Sequence, residues 1–137
     1  MNIDIVYLWV DGNDPVWRAK KEAFERGMPH SSGEALAEAR FMDNDELKYS
    51  LRSVERFAPW IHHIYIVTDG QVPAWLDLTN ERISIVDHTE IMPREALPSF
   101  SSTAIEWCID NIPDLSEYFL LANDDTFIGR EATPMDF

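Results

Sequence analysis

Apolar positions along the chain follow two rhythms. Ile3-Asp4-Ile5-Val6-Tyr7-Leu8-Trp9-Val10, His63-Ile64-Tyr65-Ile66-Val67-Thr68, Ile83-Ser84-Ile85-Val86 and Tyr118-Phe119-Leu120-Leu121-Ala122 are short β-branched and aromatic runs that predict four strands. Between them the apolar residues recur at helical spacing. Asp14-Pro15 suits an N-cap and first helical position, opening a helix toward Gly27. Asp43 and Glu46 stand at capping-box spacing, with Asp in the Ser/Thr place; Leu47, Leu51, Val54 and Phe57 or Ala58 then line one face until Pro59 stops it. Thr103 and Glu106 open a third helix, striped by Ile105, Cys108, Ile109 and Ile112 and ended by Pro113. Residues 28–40 read as a loop with room for a short helix, and Val72–Leu76 as a single turn.

Strands alternating with helices predict right-handed crossovers and one α/β domain over residues 1–137, with a mainly parallel, Rossmann-like sheet covered on both faces. A hydrophobic share of 45% suits a folded core and is too high for disorder. The formal charge of −14 argues against a nucleic-acid partner, which needs a basic footprint. It also means that any phosphate ligand needs local cations, which a divalent metal supplies economically. A single cysteine, Cys108, precludes an intrachain disulfide, favours a reducing compartment, and sits in an apolar stripe where a small buried hydrophobe is the ordinary reading. The Ile3–Val10 run is too short, and too acidic at Asp4, for a signal peptide. No run approaches the roughly 20 apolar residues of a membrane span. A soluble, cytoplasmic protein is expected, with peripheral attachment at the inner membrane left open.

Ligands of open α/β sheets bind beyond the carboxyl ends of the strands. Here those ends read Asp11-Gly12-Asn13-Asp14, Asp69-Gly70, Asp87-His88 and Asn123-Asp124-Asp125. Any one is explained by the turn-forming habit of aspartate; four on one edge point to a shared acidic site. Asp124 and Asp125 are the preferred ligands for Mg²⁺ or Mn²⁺, hard ions that take one or two carboxylates plus phosphate and water oxygens. Neighbouring strand side chains diverge, so both reach one metal only if the chain turns there; otherwise one binds and the other orients it. His62 and His63 read as solvated, while His88 follows a strand and could face the pocket. Trp9 reads first as core, with base or sugar stacking as the sharper alternative. Arg52 and Lys48 read as a solvated helix face close enough to Asp43-Asn44-Asp45 to reach a phosphate.

Several stretches together resemble the Stealth family of capsular-polysaccharide hexose-1-phosphate transferases, which also includes the animal enzyme placing GlcNAc-1-phosphate on lysosomal glycoproteins. The first is Ile3 through Trp17, with Trp9-Val10-Asp11-Gly12-Asn13-Asp14-Pro15 at its centre. A longer one runs from Arg40-Phe41-Met42-Asp43-Asn44-Asp45-Glu46-Leu47 through Val67-Thr68-Asp69-Gly70-Gln71 and Leu97-Pro98-Ser99-Phe100 to Asn123-Asp124-Asp125 and Pro134-Met135-Asp136-Phe137. The resemblance implies a fold of the A-type nucleotide-diphosphosugar transferase kind, a UDP-sugar donor such as UDP-GlcNAc, a glycan acceptor, and transfer of the sugar with its phosphate in capsular or exopolysaccharide synthesis. The expected donor-binding residues are Trp9, Asp11, Gly12, Asp14, Asn44, Arg52, Asp69 and Gly70, with the metal on Asp124 and Asp125. The chain departs from the family at Trp107 and Cys108, where Ser and His are usual. The regions thought to supply the family's catalytic His and Arg have no counterpart before Phe137, so this segment is expected to be the donor-binding part of a longer catalytic domain. The alternatives are an A-type glycosyltransferase that moves the sugar alone and a non-catalytic binding module.

Overall fold

The computed structural model describes residues 2–26, 45–77, 79–124 and 127–137. Four parallel strands, β1 (Ile3–Leu8), β2 (Ile64–Thr68), β3 (Ile83–Asp87) and β4 (Tyr118–Asn123), form a sheet of order β3-β2-β1-β4. Residues alternate between faces. Ile3, Ile5, Tyr7 and Trp9 face one core with Ile64 and Ile66, while Val6, Tyr65, Val67 and Val86 face the other. This all-parallel sheet with helices on its faces is the α/β, Rossmann-like architecture that the strand-helix alternation predicts.

Helix α1 spans Pro15–Arg26 and α2 spans Glu46–Phe57. In α2, Leu47, Leu51 and Val54 are spaced by four and three residues and are all buried on the first core. At roughly 1.5–3 kcal/mol per fully buried large apolar side chain, this stripe fixes the helix to the sheet. The helix begins at Glu46 after Asp45, which sits at φ 62 with no side-chain cap bond, so it starts later than a cap at Asp43 would have it. Asp43 itself, like the loop expected over 28–40, lies outside the described residues. The β2–β3 connection adds Trp75 and Leu76 to the same core and contains a turn closed by Leu76 N–H on Pro73 O at 3.1 Å.

The second face corrects one expectation. In place of a single helix from Thr103 to Ile112, α4 covers Ser102–Glu106 and is followed by a 3-10 turn, Ile109–Asn111. Ser101 is the N-cap, its Oγ accepting from Ala104 N–H at 3.3 Å. The backbone tightens because Cys108 N–H bonds Ile105 O and Ile112 N–H bonds Ile109 O, three residues back, just before Pro113 forbids further helix. The apolar stripe survives the break, with Ile105, Ile109 and Ile112 buried, and Cys108 packs partly buried against them. A short helix that periodicity did not predict, α3 (His88–Ile91), follows β3 directly. Its signal was a capping box: Asp87 Oδ2 accepts from Thr89 N–H at 3.4 Å, and Glu90 Oε2 accepts from Asp87 N–H at 2.7 Å.

His62 is exposed, as expected, and His63 is half-buried, but both make specific bonds that the sequence did not announce. His62 Nδ1 lies 2.9 Å from Oδ1 of Asp4, a fully buried carboxylate whose Oδ2 accepts from Ser116 N–H at 2.8 Å. His63 Nε2 lies 2.8 Å from Ser84 Oγ. Both bonds tie the starts of neighbouring strands together, at the end of the sheet opposite the acidic turns. After β4 the chain returns to α2: Ile128 N–H donates to Ser53 Oγ at 3.1 Å, Ala132 N–H to Phe57 O at 2.9 Å, and Trp60 Nε1–H to Ala132 O at 2.8 Å. No helix among the described residues is long and apolar enough to cross a membrane.

Candidate functional site

The chain steps from β1 outward to β2 and β3, then returns to the other side of β1 as β4. The topological switch point therefore lies between β1 and β4, where open α/β sheets leave a crevice for ligands. Leu8 pairs with Asn123, so the Asp11–Asp14 turn and the Asn123-Asp124 turn leave the sheet side by side at this crevice. Asp124 is half-buried directly beyond the strand. Asp125 lies outside the described residues, as does Asn44.

The first turn is heavily braced. Asp11 Oδ1 accepts from Asn13 N–H at 2.9 Å, and Asp14 Oδ1 caps α1 by accepting from Val16 N–H at 3.0 Å. Gln71, 7% exposed, grips the turn from β2's side. Its Oε1 accepts from Asp11 N–H at 2.9 Å, and its Nε2 donates to Asp11 O at 3.0 Å and Asp14 Oδ2 at 3.1 Å. Gln71 is in turn held by Thr68, whose hydroxyl donates to Gln71 O at 2.8 Å. Residue-by-residue reasoning missed Gln71, because a glutamine after Asp-Gly carries no motif; only the fold aims it at a turn 60 residues away.

A second group gathers at the ends of β2 and β3. Lys20 of α1 donates to Asp69 Oδ1 at 2.7 Å, and Arg18 Nε–H to Gly12 O at 2.6 Å, so α1 brings two cations to an acidic edge. Gly70 adopts φ +66, a conformation that suits glycine, and its N–H donates to Asp87 Oδ1 at 2.6 Å. The edge also collects unpaired polarity. Trp9 Nε1, Asp69 Oδ2 and His88 Nδ1 are sealed from solvent with no hydrogen-bond partner among the described residues. Such atoms are rare in folded proteins, and each calls for an explanation beyond packing. All three lie at the carboxyl ends of strands, whereas the buried carboxylate at the opposite end, Asp4, has both oxygens bonded.

Of the expected donor-binding residues, Asp11, Gly12, Asp14, Asp69 and Gly70 are thus brought to one edge and linked through Gln71, Lys20 and Arg18. Trp9 is only 5% exposed and packs in the core beneath α2, which leaves no open ring face for a base. Arg52 lies elsewhere: its guanidinium stands 5.6 Å from the Tyr49 ring, and it borders a groove over the first residues of β2 and β3.

His88 is 2% exposed, and burial lowers its pKa below the ordinary imidazole value, against the opposing pull of Asp69 and Asp87 and with a smaller lowering from Lys20. On acidification the unfolded chain therefore takes up the proton first. The stability this neutral histidine contributes is complete above about pH 6.5 and is lost as pH falls from there toward the lower folded-state value. His63, also lowered chiefly by burial, acts in the same sense. His88→Gln is expected to shrink the fall in Tm between pH 7.5 and 5.5, and His88→Gln with His63→Gln to shrink it further. An unchanged pH dependence in the double variant would refute this assignment.

Comparison with known proteins matches residues 1–29 to Stealth protein conserved region 1 and residues 40–137 to Stealth protein conserved region 2. The chain belongs to the Stealth family. An exopolysaccharide phosphotransferase of Streptomyces coelicolor is 52% identical over 136 residues, covering 98% of this Stealth chain and 23% of that protein. One from Lactiplantibacillus plantarum is 48% identical over 136 residues, covering 99% and 39%. A capsular polysaccharide phosphotransferase of Streptococcus pneumoniae is 44% identical over 135 residues, covering 98% and 41%. The Stealth segment described by these 137 residues therefore spans less than half the length of each of these relatives.

Proposed function

We propose that this chain is the donor-binding part of a sugar-1-phosphate transferase acting in capsular or exopolysaccharide synthesis, with a UDP-sugar such as UDP-GlcNAc as donor. The observation that carries the reading is the pairing of two acidic turns at the β1/β4 switch point, in a family whose relatives are named polysaccharide phosphotransferases.

Among the described residues no three histidine, cysteine or acidic side chains converge into a complete metal cage. The donor set fits Mg²⁺ or Mn²⁺ nonetheless, because these ions use one or two carboxylates and take their remaining oxygens from phosphates and water. Asp124 and Asp125 would hold the ion, which would offset the charge of the bound diphosphate and the charge that develops on the phosphate of the leaving UMP. The protein's own residues supply positioning. Gln71 fixes the backbone of the Asp11 turn and the carboxylate of Asp14, so this side of the crevice needs little rearrangement when a donor arrives. Lys20 neutralises Asp69, which would otherwise repel a phosphate. In the reaction, an acceptor hydroxyl oxygen forms a bond to the phosphorus that carries the sugar while its proton is released to solvent, the phosphoanhydride bond breaks, and UMP leaves with the bonding pair.

Product analysis on a longer enzyme carrying this segment separates this reading from its nearest rival. Release of UMP in step with acceptor labelling is expected. Release of UDP would mean transfer of the sugar alone. A donor that fails to bind calorimetrically, with or without Mn²⁺, would leave only a non-catalytic module.

A further inference from the structure

A second site lies away from the donor turns. Between α2 and the β2–β3 connection runs a groove of about 250 Å³, floored by Leu51 and by Ile64 and Ile83, the first residues of β2 and β3. Its walls carry a half-buried indole, Trp75, and three cations, Lys48, Arg52 and Arg82. The chain has 11 basic residues against 25 acidic ones, so three lining one groove make it a place where an anion can approach. Neither Lys48 nor Arg52 joins an ion pair among the described residues. Arg82 is anchored at one end, donating through Nη2 to Ile61 O at 2.5 Å. The groove also holds two carboxylates, Glu55 and Asp77, and the amide of Asn80.

We propose that this groove binds a glycan carrying a phosphodiester, the class of molecule that a sugar-1-phosphate transferase makes; the proposal rests on that reading of the family. The chemistry matches in each part. An indole offers a flat apolar face to the C–H side of a pyranose. Carboxylates and a carboxamide accept and donate to ring hydroxyls. Lysine and arginine pair with a phosphodiester oxygen, which a neutral glycan lacks. With three cations against two carboxylates, the groove is nearly balanced, and it suits one negative charge per repeat better than a free nucleotide diphosphate. The growing or finished polymer would then be gripped along α2 while the donor occupies the strand ends.

The test is calorimetric titration of this chain with a synthetic disaccharide joined through a 1-phosphodiester. The same two hexoses joined by an ordinary glycosidic bond, and inorganic phosphate, serve as comparators. The phosphodiester disaccharide is expected to bind about tenfold tighter than either comparator, the span of one charge-assisted contact. Lys48→Gln should erase most of that preference, and Trp75→Ala should weaken both disaccharides. Because Trp75 packs against the core and Lys48 does not, Lys48→Gln carries the decision if Trp75→Ala folds poorly. Saturable binding that is lost with Asp69→Asn but unchanged with Lys48→Gln would place the glycan at the donor turns and overturn the proposal, as would no binding at all. UDP-GlcNAc titrated in parallel keeps the two readings apart, since its failure to bind bears on the donor site and not on the groove.

Discussion

Asp124→Asn is expected to lower sugar-phosphate transfer by roughly a thousandfold in a longer enzyme carrying this segment, while leaving its stability nearly unchanged. The rate loss follows from the metal's role in offsetting charge on the transferring phosphate, which is worth several kcal/mol in the transition state. The small stability effect follows from position. Asp124 is half-buried in the turn after β4, and the chain on either side is held independently, by the β1–β4 ladder before it and by Ile128 on Ser53 after it. Asn keeps the shape and one oxygen but loses the charge that a divalent ion needs. Asp125→Asn is expected to fall in the same direction, and the ratio of the two losses tells which carboxylate binds and which orients. Rates measured against Mn²⁺ concentration provide the check: the apparent metal affinity should drop together with the rate. An Asp124→Asn enzyme with wild-type metal dependence would remove this turn from the site.

β1 and β2 were legible because β-branched and aromatic runs of five or six residues at the centre of a parallel sheet have no competing use. Helix α2 was legible because its Leu47-Leu51-Val54 stripe has one period and Pro59 stops it. The third helix was misjudged for a physical reason. Periodicity reports which residues point inward, and Ile105, Ile109 and Ile112 do so whether the backbone between them is α-helical or partly 3-10. The bonds made by His62 and His63 were missed because nothing local announces their partners: Ser84 lies on a neighbouring strand, and Asp4, a carboxylate inside a strand, looks like an exposed edge until its own two partners, 58 and 112 residues away, are placed. The candidate site divides in the same way. Acidic turns at strand ends are a local signal and were found. Gln71 and Lys20 act on residues that only the fold brings near, so their roles follow from topology. Trp9 shows the converse, since its first reading as a core residue agrees with its burial although it stands next to an acidic turn.

Asp4→Ala should cost about 3 kcal/mol of folding stability, the scale for deleting a buried, hydrogen-bonded charge and stranding its partners. The two partners are unequal. His62 is half exposed, with 50% of its side chain accessible, and can turn to water once its bond is lost. Ser116 N–H has no such freedom, because it sits where the chain turns into β4, two residues before Tyr118 takes up its register opposite Ile3. The loss should therefore concentrate on β4, and β4 delivers Asp124 to the crevice. Two measurements follow from one cause. The urea midpoint should fall by the amount that about 3 kcal/mol implies, with an unchanged slope. Amide exchange should quicken in β4 more than in β2, because β2 keeps neighbours on both sides whereas β4 pairs with β1 alone among the described strands. Asp4→Asn should fall between the parent and Asp4→Ala, since one oxygen can still accept from Ser116 while the amide faces a histidine nitrogen that must change its proton to match. A loss below 1 kcal/mol, or exchange that quickens equally across the sheet, would mean that β4 is held by its ladder and not by this carboxylate. Donor affinity measured on the same variant then carries the consequence to the site: if Asp4 sets β4's position, metal-dependent binding of UDP-GlcNAc should weaken severalfold, although Asp4 lies at the far end of the strands and touches no ligand.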